Sequence, residues 1–217
     1  MSKGSVFVSG ACTTLLLAVI IGCTPHADPA SPSGASNEEP KQSAASATSA
    51  TSTQHAQQSK EELVLSFYKD SSLNDEAKVR HMTDHLAGIH WGKMNEISEH
   101  QSMEIIEYLY KQRALIPSES FPNVIKGTAG LDGALTEEYD NLMEDLFTRD
   151  KTTMIRALAD MDKTNRVQGI GGIGYALSYR DPKEVKKEIQ QWQAGQQLTT
   201  AEKDVIRALF AKLDNPY

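Results

Sequence analysis

The chain has 217 residues and a formal net charge of −7 at pH 7, and 39% of its residues are hydrophobic. This mild acidity argues against nucleic-acid binding and against a polybasic attachment to anionic lipid. The length suits one domain, and the part from residue 60 onward is long enough to bury a single core.

The first stretch of the chain has the layout of a secretory signal. Lys3 adds positive charge near the amino terminus, an apolar run follows from Val6, and small residues close the segment. The string Ile20-Ile21-Gly22-Cys23 resembles the lipobox of bacterial lipoproteins, in which an aliphatic, a variable and a small residue precede a cysteine. The resemblance covers residues 1–23 and has no bearing on the fold that follows.

The lipobox resemblance implies a lipid anchor at Cys23. Residues 1–22 are then a signal peptide that is cleaved off, and the thiol of Cys23 carries a diacylglyceryl group, with palmitate among the acyl chains. Two or more acyl chains hold a protein stably on a membrane. Thr24 follows the cysteine rather than aspartate, and the analogy with Gram-negative lipoproteins then favours the outer membrane, with the protein facing the periplasm. The alternatives are an ordinary secretory signal and an uncleaved transmembrane helix, for which the segment is short of the ~20 apolar residues needed.

Cysteine usage and composition set limits on the rest of the chain. Cys12 and Cys23 are the two cysteines, so a domain after residue 23 has no disulfide, cysteine nucleophile or cysteine-ligated zinc. Residues 23–59 are rich in Ser, Ala, Thr, Gln and Pro and almost lack large apolar side chains, which is typical of disordered segments. We therefore predict that residues 23–59 form a disordered tether with a typical reach of about 30–35 Å.

From residue 60 onward, apolar residues recur at helical spacing, and capping signals mark where helices begin. The predicted starts are Ser59 with Glu62, Asn74, Ser98 with Gln101, Thr136, Lys151, Asn165, Asp181 with Pro182, and Thr199 with Glu202. Residues 117–135 contain two prolines and three glycines and are predicted to form a long loop. No stretch alternates for long like a strand, and no hairpin turn separates two β-rich runs.

These signals predict an all-α domain at residues 60–217, folded as an irregular bundle of about eight helices. Residues 74–88 and 150–177 resemble the helix pairs of HEAT-type repeats, because a turn residue precedes an aliphatic-rich helix in each. A short HEAT-like right-handed solenoid is therefore the alternative architecture.

His81 and His85 are the most tempting candidates for a chemical site. Histidines at i and i+4 share a helix face and can chelate a metal. The string from His81 to His85 resembles the inverted zinc-protease motif H-x-x-E-H, with Asp84 in place of the glutamate that activates water. No third ligand is identifiable, and the pair lies at or beyond the edge of the predicted buried face. We therefore favour two exposed histidines beside an acid and predict no metal.

The segment Gly169–Gly174 matches the dinucleotide motif G-x-G-x-x-G literally. That motif requires a buried strand immediately before it, and the preceding residues 162–166 are polar. We favour a structural role, in which the glycines allow close approach of another helix while Ile170 and Ile173 pack inward; a bend at the glycines is the alternative. No nucleotide or other cofactor is predicted.

Five acids and two tryptophans complete the set of candidates. The acids lie on the helix predicted from Thr136, where they form either a solvated face or a surface that docks a basic protein: Glu137, Glu138, Asp140, Glu144 and Asp145. Trp91 and Trp192 are interpreted as core or helix-junction residues. A sugar-stacking role is the alternative for Trp91, because residues 89–93 are predicted to be irregular.

The sequence favours a non-enzymatic, lipid-anchored protein whose helical domain binds another protein in the periplasm. Two functions fit this class. One is an immunity protein that neutralises a toxic effector, which we favour slightly because acidity suits the capture of a basic toxin. The other is an accessory subunit of a secretion or envelope-assembly machine. The competing class is a metal-dependent envelope enzyme that uses His81 and His85.

Overall fold

The computed structural model describes residues 58–216, and the predicted signal peptide and most of the predicted tether lie outside this range. The described residues form ten α-helices: α1 (Lys60–Lys69), α2 (Asp75–Asp84), α3 (Trp91–Ile97), α4 (Ser102–Lys111), α5 (Phe121–Ile125), α6 (Gly133–Arg149), α7 (Lys151–Asp160), α8 (Lys163–Leu177), α9 (Pro182–Ala194) and α10 (Thr200–Asp214). Two short 3₁₀ helices, Arg113–Leu115 and Ser118–Ser120, join α4 to α5. No strand occurs in residues 58–216, so the all-α prediction is confirmed.

Four of the predicted helix starts are confirmed at the level of individual hydrogen bonds. At α1, the Ser59 hydroxyl accepts from the Glu62 backbone N–H at 3.2 Å, while the Glu62 carboxylate accepts from the Ser59 N–H at 2.6 Å. The same reciprocal pair joins Thr199 and Glu202 at the start of α10. Single side-chain caps are made by Asn74 at α2 and by Asp181 at α9. These bonds satisfy amide donors that a helix leaves unpaired at its amino terminus.

The capping box predicted at Ser98 is only half formed: the Ser98 hydroxyl accepts the Gln101 backbone N–H at 3.1 Å, but no helix begins at Ser98. Ser98 closes α3, and the next two residues, Glu99 and His100, have φ values of 57° and 70°. Left-handed backbone at two consecutive residues cannot continue a helix. The next helix, α4, therefore begins at Ser102, and its N-cap residue Gln101 makes no side-chain capping bond.

The helices α3 and α5 are the two that the sequence did not predict, and they raise the count from about eight to ten. Residues 89–93, expected to be irregular, include the start of α3, and the expected loop at 117–135 contains α5. The start of α3 depends on a distant residue. The buried carboxylate of Glu61 in α1 accepts the His90 backbone N–H at 3.0 Å and pairs with Lys93 at 3.1 Å.

All ten helices contribute buried side chains to one core, and the most extensive packing joins α6 to α8, α8 to α10 and α4 to α6, with α7 packed against α6 and α10. The apolar side chains that α6 buries are Leu135, Tyr139, Leu142, Met143, Leu146 and Phe147. The helix α8 packs against both α6 and α10. No helix within residues 58–216 combines the length and apolarity needed to cross a bilayer.

Trp91 belongs to this core and is fully buried, which excludes the sugar-stacking alternative. Its indole Nε1 donates to the Gly127 carbonyl at 2.7 Å, and its ring meets Tyr139 edge-on at a centroid distance of 5.7 Å. The Tyr139 hydroxyl donates to the Val124 carbonyl at 2.7 Å. The two aromatic residues therefore fix the end of α5 against α3 and α6. Trp192 is partly buried against the same core, as predicted.

Candidate functional site

The structure places His81 and His85 at the end of α2, beside α1. The His81 ring stacks on Phe67 at a centroid distance of 4.7 Å, and the His85 ring lies tilted against the same phenylalanine at 5.5 Å. Nδ1 of His85 lies 2.8 Å from the His81 carbonyl oxygen, so that nitrogen carries the proton and donates. No group of three or more His, Cys, Asp or Glu side chains in residues 58–216 is arranged to hold a metal ion. The observed contacts of both rings are packing and helix-end contacts.

The glycine motif lies inside α8, which begins after the Asp162 N-cap and is not preceded by a strand. A Cβ at Gly172 would clash with the Asp140 carboxylate and the Met143 methyl group of α6. A Cβ at Gly174 would clash with Lys212 of α10. The motif therefore allows two helices to approach α8 closely, which is the structural role favoured from the sequence. Ile170 and Ile173 are buried, also as predicted.

The five acids of α6 do not form a continuous solvated face. Glu144 lies 3.8 Å from Arg180, and Asp145 pairs with Arg113. Asp140 is buried, with 5% of its surface exposed. Glu137 is exposed to solvent, and Glu138 is half-buried. The interpretation of all five as a solvated face is therefore wrong for Asp140, which the packing of α8 covers.

Asp140 lines a recess of about 280 Å³ between α6, α8 and the segment that follows α5. We call it the Asp140 recess; its lining residues are Thr128, Leu131, Thr136, Asp140, Gln168, Gly171 and Gly172. The Thr128 hydroxyl donates to Gln168 Oε1 at 3.3 Å and so links the segment after α5 to α8. The close approach of α8 at Gly172 is what brings its backbone next to the Asp140 carboxylate.

The Asp140 carboxyl lacks a hydrogen-bond donor among residues 58–216. Burial removes it from water without a compensating bond and raises its pKa to about 7. The positive charge of Lys212 in α10 acts in the opposite direction, but its ammonium forms no ion pair with Asp140 in the described part of the chain. Asp140 is thus a desolvated acid whose acceptor oxygens face a recess.

A second concavity lies beside the Asp140 recess, between α8 and α10. This α8–α10 groove has a volume of about 380 Å³ and is lined by Val167, Ile170, Gly171, Ala208, Ala211, Lys212 and Asn215. Val167 is 61% exposed, which is unusual for a large apolar side chain in this domain. The groove and the Asp140 recess share Gly171, where a Cβ would meet no atom within 4 Å. An apolar groove and a buried acid therefore adjoin on one surface of α8.

The predicted lipidation residue Cys23 lies outside the described residues. Sequence reasoning named Asp140 only as one of five acids and did not identify Gly171, Gln168, Thr128 or Lys212 as residues of a site. One signal was present: Asp140 precedes Met143 and Phe147 by three and seven residues, which places it on their side of α6. No protein-family model matches this chain, and no curated protein or solved structure is significantly similar to it.

Proposed function

We propose that the protein is a lipid-anchored module of the bacterial cell envelope that binds another protein in the periplasm and is not an enzyme. The observation that carries the binding role is the junction at Gly171, where the Asp140 recess meets the α8–α10 groove. Protein interfaces combine a central apolar contact with a few polar groups that lose water on binding. At Gly171 the apolar groove, with Val167 and Ile170 of α8, adjoins the recess that contains Asp140 of α6.

The proposed partner is a basic protein. The chain carries a net charge of −7, and Asp140 is an acid that its own domain leaves without an ion pair. Opposite charge on the partner would speed encounter and favour this partner over acidic proteins. Within this class, an immunity protein that neutralises a basic toxic effector is our first proposal. An accessory subunit of a secretion or envelope-assembly machine is the second.

We favour a single irregular bundle over a short HEAT-like right-handed solenoid. In a solenoid each repeat contacts only its neighbours along the chain. Here α6, α8 and α10 each pack against the helix two places earlier, as stacked helix pairs also do, but the helices range from 5 to 17 residues and no unit repeats cleanly along the chain.

The anchor is tested by replacing Cys23 with serine. The lipobox resemblance predicts that the native protein lacks residues 1–22, carries a diacylglyceryl group at Cys23 and sediments with the outer membrane. C23S cannot form the thioether and should lose the lipid and leave the membrane fraction. Intact-mass spectrometry of the purified protein measures the lipid and the cleavage, and membrane fractionation measures the location. A native protein with an unmodified Cys23 and the leader still attached would contradict the anchor.

The binding surface is tested by a substitution that fills it without disturbing the core. Gly171→Leu introduces a side chain into open space at the junction, so the domain should remain folded while partner binding falls at least tenfold. Gln190→Leu adds the same side chain at an exposed position of α9 and serves as the matched control. The measurement is recovery of the partner by the full anchored chain after crosslinking in cells.

We expect wild type and Q190L to recover one dominant protein in near-equal amounts, and G171L to recover little of it. Equal recovery by G171L and Q190L would contradict the location of the surface. Failure of the wild type to recover any partner across growth conditions would contradict the binding function itself.

A further inference from the structure

The Asp140 recess has the chemistry of a site for a positively charged group. Its strongest polar group is a carboxylate that is more than nine-tenths buried and accepts no hydrogen bond within residues 58–216. Most buried carboxylates in folded proteins are paired or hydrogen-bonded, because an isolated buried charge is costly. Because Asp140 is unpaired in a recess that opens to solvent, its carboxylate can accept a hydrogen bond from a donor outside the domain.

The other lining groups restrict which donor can enter. An anion would be repelled by Asp140, and a purely apolar group would leave the carboxylate unpaired. Thr136, one turn before Asp140 on α6, also lines the recess, and Gln168 Oε1 accepts the Thr128 hydroxyl there. Leu131 adds an apolar wall, which suits the alkyl stem of a long basic side chain.

Folding has already removed water from the Asp140 carboxylate. A cation that enters the recess therefore forms an ion pair with it without a further desolvation cost for the carboxylate. The recess volume of about 280 Å³ is smaller than the cavities that hold drug-sized ligands, and it suits a single side chain. The apolar α8–α10 groove continues from it at Gly171, so a polypeptide that contributes this side chain can also contact the groove.

We propose that the Asp140 recess receives the basic side chain, lysine or arginine, of the protein partner. This inference rests on the proposed binding function and specifies its central contact. Asp140 supplies the counter-charge, Leu131 contacts the alkyl stem, and the hydroxyl of Thr136 accepts a further hydrogen bond from the cation.

The test uses small probes that isolate this contact from the rest of the partner. N-acetyl-arginine amide and N-acetyl-lysine amide are titrated into the full chain in detergent by calorimetry at pH 8, where Asp140 is ionised. Their neutral counterparts, N-acetyl-citrulline amide and N-acetyl-norleucine amide, have similar shapes without the charge. We expect at least one cationic probe to bind tenfold or more tightly than its counterpart, and the better of the two identifies guanidinium or ammonium as the group preferred.

Two variants with the same change in net charge locate the bound probe. Asp140→Asn keeps the shape of the side chain and should abolish the preference for the cationic probe. Glu137→Gln removes an exposed charge of α6, one turn before Asp140, and should change the affinity less than twofold. Circular dichroism checks that both variants remain helical.

Three results would overturn the inference: no difference between charged and neutral probes, full binding by D140N, or equal losses in D140N and E137Q. Each is distinct from failure of the proposed function, which is judged by partner recovery. A recovered partner together with no cation binding would refute only the role of the recess. Cation binding with no recoverable partner would instead refute the claim that the cation belongs to a protein.

Discussion

Replacing Trp91 with alanine should lower the free energy of unfolding by about 3–5 kcal/mol, the largest single loss that we expect from a core position. Trp91 is fully buried, so truncation leaves a cavity that α3 and α6 can close only in part. It also removes the bond from Nε1 to the Gly127 carbonyl and the edge-on contact with Tyr139. Urea unfolding of the full chain, followed by circular dichroism, measures the change.

Two further variants separate the causes. Trp91→Phe keeps most of the apolar volume and removes the hydrogen bond, so about 1–3 kcal/mol of the loss should remain. Trp192→Ala is the matched control, because this tryptophan is only partly buried in α9 and its truncation should cost less than half as much. A loss below about 1 kcal/mol in W91A would contradict the role of Trp91 in fixing α3 and α5.

The helix starts that could be predicted from the sequence are those with local chemistry. A cap at Ser59, Asn74 or Thr199 forms between residues three apart in the chain, so its pattern is visible without knowledge of the fold. The helix start at Asp181 could be predicted for the same reason, because its side chain accepts the N–H of Lys183 and Pro182 occupies the first helical position.

The helices that could not be predicted depend on distant residues. At the start of α3, the His90 backbone N–H donates to Glu61, which lies 29 residues earlier in the chain. The helix α5 has five residues. A helix so short gains little from its own hydrogen bonds and is formed by tertiary packing. In α5 that packing includes the bond from Tyr139 of α6 to the Val124 carbonyl. No periodic pattern marks such segments.

The candidate site was missed for a related reason. Gly172 and Asp140 are 32 residues apart, and each has an ordinary local explanation: a flexible helix position and one acid among five. Only the packing of α8 on α6 brings the Gly172 backbone against the carboxylate and removes it from water. The sequence shows that glycines permit close approach, but it does not show which side chain they approach.

Asp140→Asn should stabilise the domain, and by an amount that grows with pH. Burial raises the pKa of Asp140 to about 7 in the folded protein, against a value of 3.8 for an unperturbed aspartate. Between these pH values the folded state holds a proton that the unfolded chain releases, so the contribution of Asp140 to stability falls as pH rises through this window. The loss reaches about 4 kcal/mol above pH 7, since one unit of pKa corresponds to about 1.4 kcal/mol.

The difference between wild type and D140N isolates this effect. Other carboxyls, among them Asp150 and Asp162, have lowered pKa values and lose stability at acid pH in both proteins alike. Asparagine does not titrate, so its advantage over aspartate should increase by about 2–3 kcal/mol between pH 5 and pH 8. Urea unfolding at both pH values provides the numbers, with Glu137→Gln as the control that should show no such increase. An advantage of D140N that is equal at pH 5 and pH 8 would mean that Asp140 is ionised in the folded protein throughout this range. The recess would then already supply a partner for the carboxylate, and no cation from outside would be required.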